Sequence, residues 1–257
     1  MVALSIITVV KNNAEGLRRT IASAKSQDFF DWELIIVYGQ SHDTTYEFAM
    51  ESIRDDSRIT LVEQLDKGIY EAMNLGISKA RAEFLWFMNS GDRFYSPTSL
   101  ISGLGVIRNS ELGFVVGGYK IENDRRLFHQ APGRMTQIKF ALSRRGACHQ
   151  AMVFRKEPVM QSGNFDTKFR LAADYKLCLK LITNSGASKL SEILAVMEPG
   201  GLSDQNLRIM HLEKAAIRRE IFANNPPARV LGWCWMKAAR TKAILRGLGN
   251  GKKHPLG

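Results

Sequence analysis

Two hydrophobic periods alternate along the first 95 residues. Residues 4–10 form an unbroken apolar run rich in β-branched side chains, which predicts a strand buried on both faces. Asn12 and Asn13 follow as cap residues, and Leu17, Ile21 and Ala24 then recur at helical spacing. The alternation continues with a strand over 32–37, a helix from Ser41 or Asp43 to about Ile53, a strand over 59–62, a helix over 69–80 and a strand over 84–88. This order predicts an α/β fold with a mostly parallel sheet flanked by helices.

Beyond Asp92 the pattern loosens. Strands are expected over 112–121, 151–154 and 190–197, with a helix over 175–183. A further helix over 207–222 is separated from the remaining chain by Pro226-Pro227, since neither proline can donate within a helix. The organisation expected is one unit over 1–204, regular in its first half (1–95) and looser in its second (96–204), and a basic helical extension over 205–257.

A chain of 257 residues with 45% hydrophobic and 24% charged residues fits one large globular domain with a decorated end. Cys148, Cys178 and Cys234 are widely spaced and odd in number, so they suggest neither a disulfide framework nor a zinc site, but reduced thiols in a cytoplasmic protein. The run at 4–10 lacks a preceding basic region and a following cleavage site, so it reads as a strand, and no stretch approaches the length of a membrane span.

The net charge of +11 is concentrated at one end, because residues 205–257 hold 11 Lys and Arg against 2 Asp and Glu. Around Trp233 and Trp235 the cations are interleaved with apolar residues, a composition suited to an anionic membrane surface through residues 228–257. Packing of that segment on the catalytic unit is the other reading. No nucleic-acid fold signature accompanies the charge.

Ligands of open α/β sheets bind beyond the carboxyl ends of the strands. Lys11-Asn12-Asn13, Tyr38 to Asp43 and Asn89-Ser90-Gly91-Asp92 occupy such positions and can converge on one crevice. A diphosphate there needs positive charge, which a divalent cation supplies if a carboxylate anchors it, and Asp92 is the natural anchor. Taken singly, Asp92 and Asp66 read equally as turn residues, and Asp174 as the cap of the helix that follows it.

Several segments together resemble the family 2 inverting glycosyltransferases of bacterial polysaccharide assembly, of the colanic-acid type. They are Ser5 to Asn12, Ser41 to Thr45, Asp66-Lys67-Gly68-Ile69-Tyr70-Glu71-Ala72-Met73-Asn74, Phe87 to Asp92, Cys148-His149-Gln150, Phe165-Asp166, Ala172 to Leu177 and Gly200 to Ser203. The resemblance implies a single nucleotide-diphospho-sugar transferase domain of the glycosyltransferase A type with a mixed sheet. It implies that Thr8, Val10, Asn12, Tyr38, Asp66, Lys67 and Asn89 face a UDP- or GDP-sugar, that Asp92 binds a divalent cation, Mn2+ or Mg2+, and that Asp174 is the catalytic base. His149 and Gln150 would line the side of a lipid-linked or polysaccharide acceptor. The enzyme would work in the cytoplasm, peripheral to the inner membrane.

Two positions depart from the pattern: Tyr38 stands where members usually carry an aspartate that recognises the base, and Gly91 stands where a second acid often precedes Asp92. They motivate the alternative of a non-catalytic nucleotide-sugar binding protein. A nucleotidyltransferase would need a glycine-rich, lysine-containing loop near the start, and residues 11–16 hold only one glycine.

Overall fold

The computed structural model describes residues 2–65, 68–143 and 148–223. Its first half alternates as the hydrophobic pattern predicts: β1 (Leu4–Val10), α1 (Ala14–Lys25), β2 (Trp32–Gly39), α2 (Thr45–Asp55), β3 (Ile59–Gln64), α3 (Ile69–Lys79) and β4 (Phe84–Phe87). The second half runs β5 (Arg93–Phe94), α4 (Ser99–Ile107), β6 (Phe114–Ile121), β7 (Leu127–Phe128), β8 (Gly133–Arg134), α5 (Gln137–Leu142), a 3-10 turn (His149–Ala151), β9 (Met152–Arg155), α6 (Lys156–Gln161), α7 (Ala173–Asn184), β10 (Ala187–Met197), α8 (Leu202–Gln205) and α9 (Leu207–Ile221).

The strands join one mixed sheet in the order β3-β2-β1-β4-β9-β6-β10-β5. β3, β2, β1 and β4 are mutually parallel, whereas β9 runs antiparallel to both β4 and β6. Reversing one central strand splits the sheet into two halves whose carboxyl ends still open on a common crevice.

Strand alternation sorts the core into two layers. Ile7, Val9, Ile35 and Val37 pack with Met73 and Ile77 of α3 and Leu177 and Leu181 of α7. Leu4, Ile6, Leu34 and Ile36 pack on the other face with Leu17 and Ile21 of α1 and Leu100 and Leu104 of α4. Helix α3 lies close against the sheet because residue 76 is glycine: a Cβ there would sit 2.5 Å from Ile7 Cγ2. Helix α9 is fastened to this body by the buried Ile217 and by Lys176 of α7, whose Nζ lies 2.7 Å from Asp166 Oδ2 and 2.5 Å from Glu220 Oε1. Among the described residues no helix is long and apolar enough to cross a membrane.

Candidate active site

The loops after β1 and β2 are tied to each other. Asn12 adopts a left-handed backbone (φ 49°), which asparagine tolerates, and its N–H donates to Ser41 Oγ at 2.9 Å while its Oδ1 accepts from the His42 N–H at 2.7 Å. Asn13 caps α1, its Oδ1 accepting from the Gly16 N–H at 2.9 Å, and its own N–H donates to Thr45 Oγ1 at 3.1 Å.

Beyond β4, Asp92 is only 6% exposed. Its Oδ2 accepts from Gln150 Nε2 and its Oδ1 from the Glu198 N–H, each at 2.8 Å. Burial pushes the carboxyl up to about 6 despite these two bonds and the nearby His149, with the Glu198 charge adding to the rise. Gly91, at φ 101°, brings the backbone to this position, and a Cβ there would run into the Glu198 carboxylate. The space for a second acid side chain is thus already filled from the end of β10, where Glu198 is held by Arg19 in an ion pair.

Asp174 lies in the first turn of α7, whose N-cap is Ala172, so it is not the cap residue expected from the sequence. Its Oδ1 accepts from the Tyr70 hydroxyl at 3.1 Å and the Tyr175 N–H at 2.7 Å, and its Oδ2 faces His149 Nδ1 at 3.2 Å. Burial alone would raise this carboxyl, but the His149 hydrogen bond, the Lys214 ammonium and the Tyr175 N–H together hold it below the usual carboxylate range. The partners fix the histidine tautomer: Nδ1–H donates to Asp174, which leaves Nε2 to accept from Asn89 Nδ2 at 3.2 Å. The segment carrying His149 and Gln150 is anchored from beneath, since Trp86 Nε1 donates to the Gln150 carbonyl at 2.7 Å.

These groups line one cleft of about 1060 Å³. Val10, Asn12, Asn89, Asp92, His149, Gln150 and Asp174 all border it. Thr8 and Tyr38 do not: Thr8 is fully buried, and the Tyr38 ring packs 5.3 Å from Tyr46 while its hydroxyl accepts from the Ser41 N–H at 3.0 Å. Asp66 and Lys67 lie outside the described residues, although Gln64 and Gly68 on either side border the cleft. Asp166, in the Phe165-Asp166 segment of the resemblance, is paired with Lys176. Sequence reasoning passed over Tyr70, Glu198 and Lys214. Tyr70 sat inside a recognised motif, whereas Glu198 and Lys214 carried no local signal.

A hard, oxygen-binding cation fits at Asp92. The carboxylate keeps unused lone pairs beside its two hydrogen bonds, and Asn89 Oδ1 is buried without a partner in the same wall. Among the described residues no three His, Cys, Asp or Glu side chains converge as a metal cage. The site therefore suits Mg2+ or Mn2+, which keep water and substrate oxygens as ligands, better than zinc.

The mixed α/β sheet flanked by helices, with Asp92 and Asp174 bordering one cleft at its carboxyl edge, is a fold of the glycosyltransferase A type. Residues 5–163 match the family described as Glycosyl transferase family 2, and the chain belongs to that family of glycosyltransferases. An uncharacterized glycosyltransferase of Mycobacterium tuberculosis is 31% identical over 185 residues, spanning 69% of this chain and 68% of its own. A PGL/p-HBAD biosynthesis glycosyltransferase of Mycobacterium bovis is 28% identical over 181 residues, 70% of each chain. Among solved structures, S. aureus TarS 1-349 in complex with UDP-GlcNAc superimposes with a TM-score of 0.71 at 17% identity, over 86% of this chain and 66% of that one. The mannosyltransferase PcManGT from Pyrobaculum calidifontis, in complex with GDP-Man and Mn2+, gives 0.67 at 18% identity, over 96% and 79%.

Proposed function

We propose that the protein transfers a sugar, with inversion, from a UDP- or GDP-sugar to a hydroxyl of a lipid-linked or polysaccharide acceptor. The observation that carries this reading is that two consecutive side chains reach the two key acids: His149 faces Asp174 and Gln150 bonds Asp92. One short segment thereby sets the spacing between a base and the leaving-group site.

Asp174 is ionised at neutral pH because its hydrogen bonds hold the proton off. Three of its roughly four lone-pair sites are occupied, which leaves one on Oδ2 for an acceptor hydroxyl. As the acceptor oxygen bonds to the anomeric carbon, its proton passes to Asp174 and the bond from that carbon to the diphosphate breaks on the opposite face. A low carboxylate pKa is adequate, since the hydroxyl becomes strongly acidic as the new bond forms. Tyr70 and His149 hold the carboxylate in place during the transfer, and Asn89 holds His149. A divalent cation, Mn2+ or Mg2+, held by Asp92 and Asn89, would supply positive charge to the departing diphosphate. PcManGT is solved with Mn2+ and GDP-Man, which supports the choice of cation class. The Asn89-Ser90-Gly91-Asp92 form of the motif supports a place in the colanic-acid-type branch of polysaccharide assembly.

Residues 205–257 are read as an extension of the catalytic unit whose first helix, α9, completes the cleft wall with Met210, His211 and Lys214. Leu202 and Leu207, which border the cleft, and Ile209 and Leu212, elsewhere on α9, are more than 45% exposed, and together with the basic segment 228–257 they support a peripheral position on an anionic cytoplasmic membrane face. The test is a screen of UDP- and GDP-sugars with Mn2+, with product configuration read by NMR. Inversion that disappears in Asp174→Asn is expected; retention of configuration would sink the single displacement.

A further inference from the structure

Helix α9 brings charges to the cleft of opposite sign to Asp92 and Glu198. Lys214 is half-buried, lines the cleft beside Asp174 and holds its Nζ 5.4 Å from the centre of the Tyr175 ring. Among the described residues its ammonium makes neither a hydrogen bond nor an ion pair. The neighbouring Glu213 turns instead to the loop before α7, its two carboxylate oxygens accepting from the backbone N–H groups of Arg170 and Leu171, each at 2.9 Å. His211, one turn before Lys214, and Arg170, on the loop before α7, border the same wall. An ammonium withdrawn from water with no hydrogen bond is costly, and burial lowers the Lys214 pKa, an effect that the nearby Asp174 charge only partly offsets. Such a charge gains most from an incoming anion.

The geometry of displacement identifies whose anion it is. In a single displacement the attacking hydroxyl and the departing diphosphate lie on opposite faces of the anomeric carbon. A cation beside the base therefore faces the acceptor, while the diphosphate lies toward Asp92. Donors bordering one cleft from α9 and from the loop before α7 suit a tetrahedral, many-oxygened anion better than a planar carboxylate.

We propose that Lys214, flanked by His211 and Arg170, binds a phosphate ester carried by the acceptor next to the hydroxyl that receives the sugar. This deepens the reading of Asp174 as the base and rests on it; the acceptor class becomes a phosphate-bearing glycan, free or lipid-linked.

Two measurements test it. In the first, methyl phosphate is titrated calorimetrically into the full-length protein saturated with Mn2+ and UDP or GDP. Binding is expected, with a loss of about 10- to 100-fold in Lys214→Gln and recovery in Lys214→Arg, the range of a lost charge-assisted hydrogen bond. Equal binding by Lys214→Gln, or binding that vanishes once the nucleotide occupies the cleft, overturns the proposal. The second compares transfer to an octyl glycoside, its octyl phosphodiester, the free sugar phosphate and the octyl uronate. The octyl phosphodiester, alone or with the free sugar phosphate, should exceed the neutral acceptor at least 10-fold in kcat/KM, and Lys214→Gln should collapse that ratio. A lead held only by the octyl phosphodiester assigns the phosphate to a lipid carrier; a lead shared by the free sugar phosphate shows that the ester alone is read. Preference for the uronate, or a rise confined to the donor KM, overturns it. Full turnover by Asp174→Asn would sink the base assignment yet leave the calorimetric result standing, so the two failures are distinguishable.

Discussion

His149 Nδ1 lies 3.2 Å from Asp174 Oδ2, and the opposite ring nitrogen accepts from Asn89. Because that hydrogen bond helps hold Asp174 low, His149→Ala should raise the carboxyl pKa. The acidic limb of kcat/KM is then expected to move to higher pH, with a loss of rate at neutrality. An unmoved acidic limb would detach His149 from the base.

Asp174→Asn should lower turnover by about 10²- to 10⁴-fold, the usual worth of a general base. The fold should tolerate it: the new amide oxygen can still accept from Tyr70 and Tyr175, and the His149 tautomer can reverse if the Asn89 amide turns over. The check is single-turnover kinetics alongside the melting temperature, and turnover within a few-fold of wild type would remove Asp174 from the chemistry.

Asp92 gives a prediction of opposite sense for stability. Its folded pKa of about 6 lies above the unfolded value of about 3.9. The stabilisation linked to this proton is fully present below the unfolded value and lost as pH rises through about 6, a change of about 3 kcal/mol. Asp92→Asn should therefore raise the melting temperature of the metal-free protein relative to wild type at pH 8, with a smaller gain at pH 5, while abolishing the Mn2+-dependent shift. A pH-independent difference in melting temperature would show that burial does not govern this carboxyl.

The ends of β1, β2 and β4 were legible because continuous apolar runs stop at polar residues, and these stops place Asn12, Asn89 and Asp92. Helix α4 was not legible. Its Ser99–Ile107 segment lacks a polar face and carries Gly103 and Gly105, which disfavour a helix on local grounds. Tertiary packing explains one of these glycines: a Cβ on Gly103 would lie 2.7 Å from Trp86 Cζ3. Residue 38 belongs to the strand face that packs on α2, where the Tyr38 ring meets Tyr46. Glu198 and Lys214 were invisible because they reach the cleft from the end of β10 and from α9, more than 100 and 30 residues in sequence from Asp92 and Asp174 respectively.

Gly91 answers for its identity in two separable ways. Gly91→Ala should destabilise through the positive φ, at roughly 1–3 kcal/mol, and through collision with Glu198. In the Glu198→Ala background only the backbone cost should remain, so the two substitutions should be less than additive in urea denaturation. Strict additivity would mean that the Glu198 carboxylate moves aside freely.

Membrane association can be assigned between two features. The segment 228–257 holds seven Lys and Arg and no acid, and each cation near an anionic surface contributes about 1 kcal/mol. The exposed Leu207, Ile209 and Leu212 of α9 add an apolar contact that salt does not screen. Flotation with vesicles containing anionic lipid should capture the full chain, and raising the salt should weaken that capture. Deleting 228–257 should reduce affinity by about 100-fold or more, and a charge at Leu212, as in Leu212→Glu, should remove what persists at high salt. Unchanged binding after the deletion would overturn the electrostatic part, and unchanged high-salt binding by Leu212→Glu would overturn the apolar part. Either result bears on the acceptor, because a cleft mouth lying along a bilayer meets lipid-linked sugars before it meets soluble glycans.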